Sequence, residues 1–110
     1  MLRDQEALID IAESTKLVLF YTKNIDFEDF SINIEKQDAI LRRITIIGEA
    51  TKRLSLDFRD RHSEIPWKQI AGMRDIITHD YNEVDIDEVW TVIKKNLPEL
   101  LRYIEPLIGD

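Results

Sequence analysis

The chain has no cysteine, three glycines, three prolines and two histidines among 110 residues, and each scarcity removes a class of molecule. Without cysteine there is no disulfide framework, thiolate metal site or cysteine nucleophile. So little glycine and proline excludes collagen-like and low-complexity chains, and with 44% apolar residues folding is expected rather than disorder. No apolar run approaches the roughly 18 residues that span a bilayer, and charge interrupts the first ten positions. Neither export nor membrane insertion is expected, and the composition suits the cytoplasm. With two histidines and no H-E-x-x-H or EF-hand spacing, no metal and no cofactor are expected.

Positive charge is also scarce. A net charge of −7 argues against a general nucleic-acid binder, because backbone binding draws its affinity from Lys and Arg neutralising phosphates. The charge is unevenly spread. Residues 1–30 carry three positive and seven negative side chains, residues 80–110 three and eight, and residues 33–61 seven and five. A locally basic surface can therefore form on an acidic body, with Arg42, Arg43, Lys52 and Arg53 the candidates for contact with nucleic-acid phosphates. A solvated charged face accounts for the same residues.

The length fits one domain spanning residues 1–110. Leu8, Ile11, Ala12, Thr15, Val18, Leu19 and Thr22 recur at spacings of three and four, predicting a first helix over residues 3–23. Residues 24–33 break the pattern, with Phe27 and Phe30 plugging the core from a short helical turn. Asn33 can cap a second long helix ending near residue 55, with Ile34, Gln37, Leu41, Ile44, Gly48, Thr51 and Leu54 on one face. Residues 57–65 read as a polar connection containing Phe58 and an exposed His62. Pro66 suits the first turn of a third helix over residues 66–78. After a second break at residues 80–84, Asp85 can cap a fourth helix, with Asp87 and Glu88 favouring its dipole. Asn96 and Glu99 resemble a capping box restarting a helix through Leu107, and Pro106 and Gly109 end it. No stretch alternates with period two, so an all-α, up-and-down bundle of four to five helices is expected.

Arg74, Asp75, Thr78, His79, Asp80 and Tyr81 crowd the end of the third helix. A permanent cation, an imidazole and a phenol within eight residues suit phosphate chemistry: Arg offers a fork of donors and His can move a proton. On a continuous helix Arg74 and His79 stand about 140° apart and cannot share a face. Either the helix ends before His79 and a turn brings the ring back, or a site combines two subunits. A blander reading pairs Arg74 with a carboxylate and packs His79 and Tyr81 at the helix end. Thr78 and Asp75 could orient the pair, or simply make local hydrogen bonds. Gly48 costs helix stability, roughly 1 kcal/mol relative to Ala, and so points to a close helix crossing rather than a phosphate site.

The stretch Arg74-Asp-Ile-Ile-Thr-His-Asp-Tyr81 fits the R-x4-H-x-Y pattern of the HepT-like toxins, a branch of the HEPN ribonuclease superfamily. Ile46-Ile-Gly-Glu-Ala50 with the following Thr-Lys-Arg-Leu, then Ile65-Pro-Trp67, Ile70-Ala-Gly-Met73 and Val89-Trp90, are also similar to that family. They occur in the same order over nearly the whole chain. The resemblance implies a homodimeric HEPN-like bundle whose two motifs meet at a cleft, forming a metal-independent endoribonuclease of a type VII-like toxin–antitoxin pair. It implies that His79 acts as general acid/base, that Arg74 stabilises charge on the phosphate, and that a minimal nucleotidyltransferase antitoxin transfers AMP to Tyr81. The rival expectations are a catalytically silent module that binds nucleotide or the nucleotidyltransferase, and an oligomeric helical scaffold.

Overall fold

The computed structural model describes residues 2–75 and 84–109, which contain helices and turns and no strand. Helix α1 (Leu2–Tyr21) turns Leu8, Ile11, Ala12, Thr15 and Val18 inward as their spacing predicts, and all are buried. The chain then reverses through Asn24, at φ 64°, a left-handed conformation that asparagine tolerates better than most residues. Asp26 caps α2 (Phe27–Ile32) in a reciprocal box. Its carboxylate accepts from the Asp29 N–H at 2.9 Å, and its own N–H donates to the Asp29 carboxylate at 3.3 Å. Phe30 is fully buried and Phe27 half-buried, with ring centroids 5.2 and 6.0 Å from that of Trp90. The break over residues 24–33 is thus a capped helical turn plugging the core.

Helix α3 (Ile34–Arg53) starts where expected, with the Asn33 side chain accepting from the Lys36 N–H at 3.0 Å. It runs antiparallel to α1: Lys36 reaches the Tyr21 carbonyl, Arg53 pairs with Asp10, and Ser55 bonds Asp4. The expected core face needs one correction. Ile34 is 69% exposed, because Lys36 already meets the last residue of α1 and earlier positions overhang it. Ile40, Ile47 and Ala50 are buried as well, widening the apolar face because α3 packs against both α1 and the later α5.

The polar stretch after α3 contains a short helix, α4 (Leu56–Arg61), that the pattern of residues 57–65 does not suggest. Ser55 caps it, accepting from the Phe58 N–H at 3.1 Å, while its own N–H and hydroxyl donate to Asp4 at 2.7 and 2.9 Å. Asp4 is 1% exposed. Burial pushes its carboxyl up, but the two Ser55 hydrogen bonds, with help from the charge of Arg61, hold it below the usual carboxylate value. His62 closes α4 and is half-buried rather than exposed, its ring centroid 4.6 Å from that of Phe58.

Helix α5 (Trp67–Gly72) is shorter than the expected 66–78 helix. Pro66 precedes it as the cap residue, and Met73 and Arg74 form a turn after Gly72, a poor helix former. Asp85 caps α6 (Ile86–Thr91) as predicted, accepting from the N–H groups of Asp87 and Glu88 at 3.0 and 3.3 Å. The capping box at Asn96 does not form. Asn96 has helical dihedrals and makes no side-chain cap bond. The chain instead continues through a π turn (Val92–Asn96) into α7 (Leu97–Ile104), with the Leu97 N–H donating to the Val92 carbonyl. Pro98 explains the wider turn: it has no N–H, and its ring crowds the preceding coil. A 3-10 turn (Glu105–Leu107) ends the helical stretch, and Gly109, at φ +90°, donates its N–H to Gln5 at 2.7 Å. Among the described residues no helix is long and apolar enough to cross a membrane.

Candidate active site

The described half of the site begins with Gly48. A Cβ built on it would lie 2.8 Å from Arg74 Cβ and 3.3 Å from the Ala71 carbonyl oxygen. Here α3 therefore meets the end of α5 almost backbone to backbone, the close crossing its glycine predicts. Opposite, Ile65, Trp67, Ile70 and Met73 bury the apolar side of this segment, and the Trp67 indole donates to the His62 carbonyl at 3.0 Å. Arg74 is held between these packed elements at the turn, not on a helix face. The relation of Arg74 to His79 lies outside the described residues.

Arg74 itself is half-buried, and its Nε is buried with no hydrogen-bond partner. Among the described residues the one other such buried side-chain atom is Arg59 Nε. Burying a donor without a partner is costly. No carboxylate among the described residues pairs with Arg74, and Asp80 and Glu83 lie outside the described residues. Asp75 is exposed. Thr78, His79 and Tyr81 lie outside the described residues.

The four basic candidates on α3 do not form one patch. Taking 100° per residue, Lys52 lies about 40° around the helix from Gly48, toward the Arg74 side, whereas Arg42, Arg43 and Arg53 lie about 120–140° away. Arg53 is occupied by Asp10 in an ion pair, while Arg42 and Lys52 are exposed.

The structure also contains a groove with no counterpart in the sequence reading. Its narrower part, about 50 Å³, lies between α5 and α7 and is lined by Pro66, Gln69, Ile70, Met73, Asn96, Glu99, Leu100 and Tyr103. It continues past Met73 and Asn96 toward Gly72, Glu88 and Thr91. Glu99, expected to complete a capping box, instead accepts the Tyr103 hydroxyl at 3.0 Å. The spacing of Glu99 and Tyr103, four apart on a helix, was a legible signal for that pair. The π turn that presents Asn96 to the groove was not.

Comparison with known proteins adds a family context. The Ribonuclease HepT-like family matches residues 6–107. A protein of Thermococcus cleftensis named "probable ribonuclease HepT" is 41% identical over 103 residues, covering 94% of each chain. A candidate RNase of Caldanaerobacter subterraneus is 39% identical over 98 residues, covering 89% of this chain and 88% of its own. A Methanocaldococcus jannaschii protein whose name joins a gamma-glutamylcyclotransferase to a candidate RNase is 45% identical over 100 residues. That match covers 91% of this chain and 45% of the relative, so the chain spans less than half of that relative's length. No solved structure matches the chain significantly.

Proposed function

Because the chain belongs to the HepT-like ribonuclease family, we propose that it is a metal-independent endoribonuclease acting as a homodimer in the cytoplasm, the toxin of a type VII-like toxin–antitoxin pair. The observation that carries this reading is Arg74, fixed at the turn beside Gly48 with a buried, unpartnered Nε. In this scheme His79 takes the proton of an RNA 2′-hydroxyl, whose oxygen attacks the adjacent phosphorus. The bond from phosphorus to the 5′-oxygen breaks, and the leaving oxygen takes a proton back from the imidazolium. The products are a 2′,3′-cyclic phosphate and a 5′-hydroxyl end. Arg74 donates to the nonbridging oxygens, where negative charge grows in the transition state.

Regulation would act on Tyr81. A minimal nucleotidyltransferase partner joins the Tyr81 oxygen to the α-phosphorus of ATP, and pyrophosphate leaves. The attached AMP brings bulk and negative charge beside the catalytic pair and so opposes RNA phosphate. Lys52 is the α3 cation best placed to support RNA on the Arg74 side.

Expression without a partner tests the reading. The wild type should arrest growth and fragment cellular RNA, and His79→Ala and Arg74→Ala should do neither; equal toxicity of all three contradicts it. Mixed dimers of Arg74→Ala with His79→Ala test whether two chains build one site. With composite sites a mixed dimer keeps one of its two sites intact and regains about half the activity of the wild-type dimer, whereas sites within one chain stay inactive. Coexpression with the nucleotidyltransferase should add AMP detectable by mass spectrometry and lost in Tyr81→Phe.

A further inference from the structure

We propose that the groove between α5 and α7 is a base-binding subsite for the nucleotide next to the scissile phosphate, favouring bases with an exocyclic amino group over uracil. The proposal deepens the ribonuclease reading and rests on it.

Position is the first argument. Met73 lines both parts of the groove and is the residue directly before Arg74 in the chain, one residue from the side chain assigned to the phosphate. Shape is the second. The part between α5 and α7 encloses only about 50 Å³, but it opens past Met73 and Asn96 into a wider part of about 440 Å³, within the roughly 300–1,000 Å³ range of ligand pockets. Ile70, Met73 and Leu100 give it an apolar floor against which a flat ring can lie.

Chemistry is the third and decides the occupant. No Lys or Arg lines either part of the groove, so it is unsuited to phosphate and leaves that role to Arg74. The carboxamides of Gln69 and Asn96 each donate and accept, as base edges require. Glu99 holds the Tyr103 hydroxyl with one oxygen at 3.0 Å, leaving a second oxygen that can only accept. That hydrogen bond, reinforced by the Glu99 charge, raises the Tyr103 pKa and keeps the phenol a donor at neutral pH. An acceptor-only carboxylate favours the amino N–H of adenine, cytosine or guanine and disfavours the carbonyl-rich edge of uracil.

The test is a titration of the purified protein with AMP, CMP, GMP and UMP, followed by NMR at the side-chain amides of Gln69 and Asn96. AMP, CMP and GMP should shift these signals, and UMP should bind about fivefold more weakly or worse. Glu99→Gln keeps an acceptor for Tyr103 and should shrink that discrimination, while Asn96→Ala should weaken all four. Unmoved amide signals, or UMP binding equal to the others, would overturn the subsite. The readout is independent of cleavage. Base binding without RNA cleavage contradicts the ribonuclease reading, and cleavage without discrimination contradicts the subsite.

Discussion

Two contacts pin α3, and they treat buried polar groups in opposite ways. At the Asp4–Ser55 contact a carboxylate that is 1% exposed is met by a backbone N–H and a hydroxyl, and the hydroxyl in turn caps α4. At the Gly48–Arg74 contact the backbones approach so closely that no side chain fits, yet Arg74 Nε is left without a partner among the described residues. The first arrangement is closed on itself and contributes to stability. The second leaves a buried donor without a protein partner among the described residues.

The largest stability change should come from breaking the closed contact. Asp4→Ala leaves the Ser55 N–H and hydroxyl buried without their acceptor, at a cost of about 1–3 kcal/mol. For a chain of this size that lowers Tm by roughly 4–8 °C per kcal/mol, read by thermal unfolding. Gly48→Ala sharpens the contrast. Alanine adds up to about 1 kcal/mol of helix propensity, but its methyl meets Arg74 Cβ and the Ala71 carbonyl. Overpacking of about 1–3 kcal/mol should win, giving a modest net loss of stability together with a displaced Arg74 and reduced RNA cleavage. Arg53→Ala removes an exposed ion pair with Asp10 and should cost no more than about 1 kcal/mol. Arg74→Ala should change stability least, within about 0.5 kcal/mol, because Nε gives up no protein hydrogen bond. A large fall in Tm for that variant would put Arg74 in the same structural class as Asp4.

The closed contact also sets a pH signature. Asp4 has a folded-state pKa below its unfolded value, so its stabilising contribution is complete above the ordinary carboxylate pKa and is lost as pH falls through the lowered folded value. The Tm difference between wild type and Asp4→Asn should be constant from neutral to mildly acidic pH and close below about pH 4. A difference that persists at lower pH would mean that charge is not what the contact uses.

How legible each region was follows the same division. Local signals survived intact: Asn33 and Asp85 cap their helices, Phe30 plugs the core, and Gly48 marks a close crossing, because caps and spacings act within a few residues. Helix α4 was hidden because the group that fixes its cap, Asp4, is 51 residues from Ser55. Asn96 and Glu99 matched a capping box, but Pro98 between them favoured a wider helical turn over a new start. Ile34 fitted the apolar stripe, yet it lies past the end of the helix that would have covered it. In the site, the placement of Arg74 follows from Gly48 and Gly72 together, and no spacing rule anticipates a groove assembled from α5 and α7. His79, Tyr81 and Thr78 fall outside the described residues, and their roles rest on the motif.

The most direct test of a catalytic Arg74 is the cleavage rate of a short RNA by the purified protein in excess chelator, wild type against Arg74→Ala. The variant should fold with nearly unchanged Tm and cut about 10²–10³-fold more slowly, the loss that follows removal of one donor from a transition-state site. Equal rates in the two proteins, or a wild type that cuts only when metal is restored, would contradict the account.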